Sequence, residues 1–264
     1  MQKSKLLVAV LGALCAMPVL AADAPASPHT VTSNVGITSN YIFRGIAQTS
    51  GNPAIQGGMD YAHSSGFYAG LWGSNVSWIA DSGAVASGSV TLELDTYLGY
   101  KGAINDDMSY DVGAVRYNYL GDYVAQTNYA KADTAEVYAA LTYKFLTAKY
   151  SYSVLNQFLT VTDAKGTNYL ELNASYTIPD TSYTLSAHAG KQTYKGTGAD
   201  AAVAANLDPT VTDYKVAVAK DISGYVVTLS YTSTNAKDGG FYTYANNGGN
   251  WGKNAAAVSL THAF

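Results

Sequence analysis

Apolar and polar residues alternate along much of the chain. From Val31 to Arg44, most odd positions are apolar or aromatic and most even positions are polar or glycine. The same period of two recurs from Val90 to Lys101 and from Ala135 to Phe145. Side chains two residues apart lie on one face of a β-strand, so each of these segments predicts a strand with one apolar and one polar face.

Twelve segments of this kind can be counted, and three of them are less regular. Residues 55–63 are rich in glycine, residues 67–78 have aromatic side chains on both faces, and residues 108–119 change phase near Arg116, which would suit a β-bulge. The predicted strands are 31–44, 55–63, 67–78, 90–101, 108–119, 135–145, 148–154, 168–178, 183–192, 213–220, 225–232 and 255–264.

The connections between the predicted strands alternate in length. The long ones, rich in Gly, Asn and Asp, are 45–52, 79–89, 120–134, 155–167, 193–212 and 233–254. The short ones are 64–66, 102–107, 145–147, 179–182 and 221–224. Short turns at one end, long loops at the other and an even strand number predict an all-β fold, a closed antiparallel up-and-down transmembrane β-barrel of about 12 strands with both termini periplasmic.

The first 22 residues read as a secretory signal peptide. Lys3 and Lys5 precede an apolar run from Leu6 to Leu14, and small residues follow at Ala21 and Ala22. The run is too short for a membrane-spanning helix, which needs about 20 apolar residues, and no later stretch reaches that length. The expected mature chain is therefore one exported domain, residues 23–264, located in the bacterial outer membrane.

Composition narrows the functional classes. Only 13% of the 264 residues are charged, about half the share in soluble domains. Cleavage of the predicted signal peptide makes the formal net charge of -4 more negative. Binding to nucleic acid therefore has no electrostatic support. The same cleavage removes Cys15, which excludes cysteine nucleophiles and thiolate metal sites from the mature chain.

Polar side chains of the predicted strands are expected to face the lumen, because a lysine or arginine facing the middle of the bilayer costs about 2 to 4 kcal/mol. Arg44 lies just before the first long connection, where it could stand at the outer mouth and attract anions, or pair with Asp60 on the next strand. The candidate pore-lining residues are Arg44, Asp60, Glu93, Asp95, Glu136, Lys144, Lys149, Glu171, His188 and Lys215.

The last residues of the chain carry a second signal for localisation. Alternating residues lead to a terminal Phe264, an ending that resembles the carboxyl-terminal signal of outer-membrane proteins. This resemblance implies the barrel-assembly machinery as a partner, with outer-membrane lipid around the barrel. His262 departs from the aromatic or aliphatic residue that is commoner there, although it resembles the ending of some proteobacterial porins.

Several stretches carry a resemblance to a known family. The most specific are residues 33–46, 53–58 and 65–76, and shorter matches occur at 93–97, 110–113, 149–153 and 213–216. Together they resemble the TorF family of porins over most of the mature chain. The resemblance implies a proteobacterial outer-membrane barrel, and it brings neither a substrate nor functional residues.

Three functions are consistent with these features. The first is a porin that passes small hydrophilic solutes by passive diffusion, with a narrow pore and a weak preference for cations. The second is a plugged barrel with a structural or surface-binding role. The third is a lipid hydrolase using Ser186 and His188, which is disfavoured because both face away from lipid and a third orienting group is missing.

The spacing of candidate metal-ligating residues predicts no metal site, and the sequence predicts no cofactor. The four histidines lie far apart in sequence. Asp238, in the long connection 233–254, could contribute to Ca²⁺ binding, but this connection lacks the ordered acidic spacing of a calcium loop.

Overall fold

Twelve antiparallel strands form a closed barrel in the computed structural model of the chain. The structure describes residues 27–83, 89–123, 131–244, 246 and 248–264, and the predicted signal peptide, residues 1–22, lies outside them. The barrel strands are β1 (His29–Thr38), β4 (Ala54–His63), β5 (Phe67–Asn75), β6 (Leu92–Ala103), β7 (Met108–Leu120), β8 (Thr134–Tyr143), β9 (Leu146–Ser153), β10 (Asn168–Thr177), β11 (Tyr183–Thr193), β12 (Val211–Ile222), β13 (Tyr225–Thr234) and β14 (Ala255–Ala263).

The first strand closes the barrel by pairing with two neighbours. β1 pairs with β4 along its whole length, and its second half pairs with β14, from Asn34 opposite Ala263 to Thr38 opposite Ser259. All other neighbours in the barrel are consecutive in sequence. The predicted up-and-down barrel of twelve strands is confirmed.

The predicted bulge near Arg116 is wrong. β6 and β7 pair without interruption from Leu92 opposite Leu120 to Ala103 opposite Ser109. The apparent change of phase arises because Arg116 belongs to the outer face, where its side chain is exposed and its Nε donates to Asn118 at 2.8 Å. A charged residue near the end of a strand can lie on the outer face, because its cost falls towards the membrane interface.

The first strand is shorter than predicted. β1 ends at Thr38, and the chain then forms a small hairpin from β2 (Ile42–Phe43) and β3 (Ile46–Ala47). Arg44 and Gly45 make the turn, with φ angles of 45° and 81° in the left-handed region. A strand cannot continue through that conformation, so the apparent alternation up to Arg44 spans two separate elements.

The apolar face of the barrel points outward. On β10, for example, Leu170 and Leu172 are 58% and 54% exposed, whereas Tyr169, on the opposite face of the same strand, is only 2% exposed. The same alternation leaves valine, leucine and isoleucine exposed on β1, β7, β8, β11, β12 and β13. An apolar exterior around a polar interior is the reverse of a soluble barrel and is typical of a transmembrane β-barrel.

The buried apolar residues gather at the end of the barrel where the long connections lie. Two short helices occur there, α1 (Trp78–Asp81) and α2 (Thr197–Ala204). None of the helices among the described residues is both long and apolar enough to span a bilayer. Three clusters form from buried residues of strand ends and connections: Val76, Trp78, Ile79, Val90, Tyr117, Tyr119, Ala132 and Tyr244; Phe158, Val161, Ala164, Tyr194 and Ala199; and Ile46, Val211 and Tyr242.

Candidate functional site: the lumen and its constriction

Polar and ionisable side chains line the inner face of the barrel. Because strand residues alternate between faces, residues on either side of an exposed apolar residue point inward. Eight of the ten candidates from the sequence lie at such inward positions of barrel strands: Asp60, Glu93, Asp95, Glu136, Lys149, Glu171, His188 and Lys215. The structure thus brings these eight side chains to one surface.

Tyrosines lie flat against part of this inner wall, where glycines on neighbouring strands make room. A Cβ atom added at Gly99 would come within 2.5 Å of the Tyr68 ring, and one at Gly113 within 2.7 Å of the Tyr138 ring. The two tyrosine hydroxyls are hydrogen-bonded to each other. Tyr68 also donates to Asp111 at 2.6 Å. Because Gly99 and Gly113 have no side chains, the Tyr68 and Tyr138 rings can lie against the wall. Together with the Asp111 carboxylate, they form a continuous polar surface.

Arg44 reaches across the lumen from the tip of the β2–β3 hairpin. Its Nη1 and Nη2 donate to the two carboxylate oxygens of Glu136 at 2.9 and 2.6 Å, and Nη1 also donates to Gln192 at 2.6 Å. The guanidinium lies 4.3 Å from the centre of the Tyr169 ring. Burial lowers the pKa of Arg44, but Glu136, together with Tyr117 and Tyr169, more than offsets this effect, so the pKa stays above its usual value. Arg44 is therefore a charged group that joins the hairpin to two distant strands.

Two of the ten candidates are not where the sequence placed them. Arg44 was expected at the end of the first strand, with pairing to Asp60 as one alternative; it lies instead at the tip of the β2–β3 hairpin and pairs with Glu136, while Asp60 accepts a hydrogen bond from Tyr97 at 2.5 Å. Lys144 is not on the inner face. It lies in the turn between β8 and β9 with a φ of 54° and a half-exposed side chain, 3.8 Å from Asp107. The alternation of a strand no longer applies once the chain has entered a turn.

His188 is at the centre of a second polar network. Its Nδ1 is 2.7 Å from the Asn173 side-chain oxygen, and its Nε2 is 2.9 Å from Asp213 and 2.8 Å from the Tyr169 hydroxyl. Ser186 is not among these partners, so the structure gives no hydrogen bond between Ser186 and His188, the two residues that a hydrolase would use as nucleophile and base.

Sequence reasoning missed seven residues of these networks: Tyr68, Asp111, Tyr138, Tyr169, Asn173, Gln192 and Asp213. Gln192 and Asp213 have the same parity as His188 and Lys215 on their strands, which is a signal that could have found them. Tyr169 and Tyr68 could not have been found in this way, because tyrosine is common on both faces of these strands.

Burial varies along the polar inner face. Asp111 and Lys215 are partly buried, the Glu171 and His188 side chains are each 17% exposed, and the Glu136 side chain has no exposed surface. Beyond the hairpin, towards the long connections, lies a separate cavity of about 290 Å³. Arg44 and Gln192 belong to the lining of this cavity as well as to the lumen network. The Arg44–Glu136 pair therefore lies at the boundary between the lumen and the cavity.

A family model described as "Bacterial protein of unknown function (Gcw_chp)" matches residues 22–264. The chain belongs to the Gcw_chp family. No curated protein matches this Gcw_chp chain.

Several solved barrels are similar in architecture. The NanC porin is 12% identical, with 89% of this chain and 99% of that chain covered and a TM-score of 0.49. A deltaS2 mutant of the TodX monoaromatic hydrocarbon channel is 9% identical, with coverages of 91% and 90% and a TM-score of 0.49. OccAB3 of Acinetobacter baumannii is 10% identical, with coverages of 91% and 65% and a TM-score of 0.41.

Two carboxylates of the Gcw_chp barrel lie side by side, and neither forms an ion pair with another described residue. Glu93 and Asp95 occupy successive inward positions of β6 and are 1% and 8% exposed. Within the described residues, Glu93 Oε2 and Asp95 Oδ1 have no hydrogen-bond partner, and neither residue forms an ion pair. The Tyr41 hydroxyl donates to Glu93 Oε1 only at 3.4 Å. Burying two neighbouring acids with so little compensation is unfavourable.

Replacing Asp95 by asparagine is therefore expected to stabilise the barrel. The amide keeps the shape of the side chain and removes one of two adjacent ionisable acids, so we expect unfolding to require about 1 to 2 kcal/mol more. The measurement is reversible urea unfolding of the barrel in lipid vesicles, monitored by tryptophan fluorescence. Asp111→Asn is the matched control, since Asp111 accepts a short bond from Tyr68 and should lose stability. A destabilised Asp95→Asn variant would contradict this account of the acidic pair.

Proposed function

We propose that this protein is an outer-membrane porin, a narrow passive-diffusion channel for small hydrophilic solutes. The observation that supports the proposal most strongly is the half-buried polar lining of a closed barrel whose apolar residues face outward. Such a lining offers water and solutes hydrogen-bonding partners across a layer that otherwise has none. No chemical step is part of this function.

The pore is proposed to be narrow for two reasons. Twelve strands enclose less space than the 16 to 18 strands of general porins. The β2–β3 hairpin also occupies part of this space and is held there by Glu136 and Gln192. Solutes would pass beside the Arg44–Glu136 pair, so the hairpin is the proposed constriction.

The orientation in the membrane follows from the two kinds of connection. We propose that the short turns and both termini are periplasmic and that the long connections face outward, as in bacterial outer-membrane barrels. Export would use the N-terminal signal peptide, and assembly would use Phe264. The Phe264 side chain is 66% exposed while its backbone N–H donates to Ser33 at 2.8 Å, so the terminal ring is accessible at the closing seam. The resemblance to the TorF family of porins supports the same placement.

A plugged barrel with a structural or surface-binding role is the second candidate. The observation that favours it is the set of three apolar clusters at the long-connection end, together with the buried Arg44–Glu136 pair. If these elements never move, the lumen ends blindly at the hairpin. Conductance distinguishes this candidate from a porin.

The test is single-channel recording in planar bilayers. The parent protein is expected to conduct, and Arg44→Ala is expected to raise the conductance by about twofold or more and to shift selectivity towards cations, because a positive group leaves the constriction. Glu136→Gln is the matched variant and should shift selectivity in the opposite direction. A parent protein and an Arg44→Ala variant that are both without conductance would overturn the porin proposal in favour of the plugged barrel.

A further inference from the structure

The cavity beyond the hairpin is formed by the long connections. Its volume is about 290 Å³, and described residues from five of the long connections contribute to its lining. Pockets for small molecules begin at about 300 Å³. This cavity therefore has room for a molecule of about one ring, such as a substituted benzene.

Seven of the eighteen described residues that line the cavity are aromatic. They pack against one another: Phe158 and Tyr194 meet edge to face at 5.3 Å, and Phe241 and Tyr242 at 5.1 Å between ring centres. The aromatic lining residues are Phe43, Trp78, Phe158, Tyr194, Phe241, Tyr242 and Tyr244, and the aliphatic ones are Ile46, Leu159, Leu207 and Val211. Rings held in this way form a preformed apolar site that favours another planar ring.

Several polar groups of the lining already have partners within the protein. Gln192 accepts from Arg44 and donates to the Asn168 carbonyl at 3.0 Å. Gln48 donates to the Ile46 carbonyl at 2.9 Å, and the Tyr242 hydroxyl donates to the Pro209 carbonyl at 2.6 Å. These groups do not require a ligand.

The indole N–H of Trp78 is different. Trp78 is 6% exposed, and its Nε1 has no acceptor among the described residues. A buried donor without an acceptor is unfavourable, and a ligand oxygen that accepts its hydrogen bond would remove this penalty. Trp78 is also held in place, since its ring packs edge to face on Tyr119 at 5.3 Å. The lining of the cavity thus combines apolar side chains with a fixed hydrogen-bond donor for which the described part of the chain offers no acceptor.

The charges of the cavity indicate an uncharged ligand. Arg44 is the one Lys, Arg, Asp or Glu residue among the described lining residues, and its charge is balanced by Glu136 at 2.6 Å. A cationic ligand would find no carboxylate in the lining. An anionic ligand would have to displace Glu136, whose side chain is fully buried and would then be left unpaired.

We propose that this cavity is a binding site for a small, uncharged aromatic molecule that carries one hydrogen-bond acceptor, such as an aryl ketone. Its ring lies among the aromatic walls, and its oxygen accepts from Trp78 Nε1. The inference does not depend on solute passage, because the site is complete in the folded barrel whether or not the lumen conducts.

Equilibrium dialysis of radiolabelled acetophenone against the folded full-length protein in detergent tests the proposal. Trp78→Phe keeps a ring in the wall but removes the donor, so it should weaken binding by about threefold to tenfold. Trp72→Phe is the matched control and should bind as the parent does, since Trp72 packs on Tyr41 in the lumen wall outside the cavity. Toluene, which has no acceptor, should not distinguish Trp78→Phe from the parent.

A second variant keeps the test decisive if Trp78→Phe fails to fold. Leu207 lines the cavity and is 39% exposed, so Leu207→Trp can fill the space from its rim and should abolish specific uptake. Equal uptake by the parent, Trp78→Phe and Leu207→Trp would mean partition into detergent alone and would overturn the proposal. Tighter binding of benzylammonium than of acetophenone would overturn it as well, because it would require an acidic site.

Discussion

Replacing Arg44 by alanine is expected to lower the free energy of unfolding by about 3 to 5 kcal/mol, because it leaves a buried carboxylate without its partner. The Glu136 side chain has no exposed surface, and that of Arg44 is 10% exposed. The same change removes the hydrogen bond to Gln192 and the stacking on Tyr169. Urea unfolding of the parent and the variant in lipid vesicles measures the difference.

A matched pair on the surface provides the control. Lys144 and Asp107 are 3.8 Å apart with side chains about half exposed, so Lys144→Ala should cost less than about 1 kcal/mol. In the double variant Arg44→Met/Glu136→Leu, no charge is left unpaired, and stability should recover to within about 2 kcal/mol of the parent. A loss for Arg44→Ala no larger than that for Lys144→Ala would show that the hairpin is not held by this pair.

Replacing Leu172 by arginine is expected to cost about 2 to 4 kcal/mol, provided that the outer face meets lipid. Leu172 lies near the middle of β10, and 54% of its surface is exposed on the outside of the barrel. In a soluble protein the same substitution at an exposed site would change stability by less than about 0.5 kcal/mol. The variant therefore tests the membrane environment itself, by unfolding from lipid vesicles.

An exposed residue near the end of a strand provides the control for the Leu172 variant. Ile222 is equally exposed, at 52%, but it is the last residue of β12, next to a short turn. Ile222→Arg should cost only about 0 to 1 kcal/mol, because arginine near the interface reaches polar surroundings. Equal costs at the two positions, or no cost at Leu172, would contradict a transmembrane barrel in this orientation.

The strands could be predicted because their signal is local. A period of two in side-chain polarity is enforced wherever one face meets an apolar surrounding and the other does not. This signal located eleven of the twelve strands within a few residues of their observed ends, the exception being the first, which ends at Thr38 instead of Arg44. The loop lengths showed how the strands connect. The signal fails where the backbone leaves the extended conformation, as it does at Arg44 and Lys144, which both have positive φ angles. Both misplaced candidates lie at such positions.

The amino-acid sequence alone determined the number of strands, the direction of the apolar face and the side of the barrel that carries the long connections. These properties follow from local features of the sequence, namely the alternation of apolar and polar residues and the lengths of the connections. Only the tertiary structure decided that Arg44 meets Glu136 across 92 positions of sequence, and that Trp78 lies in a wall with Phe241. Such contacts depend on how the connections fold back into a closed barrel. Residues on different connections share no sequence periodicity from which their contact could be predicted.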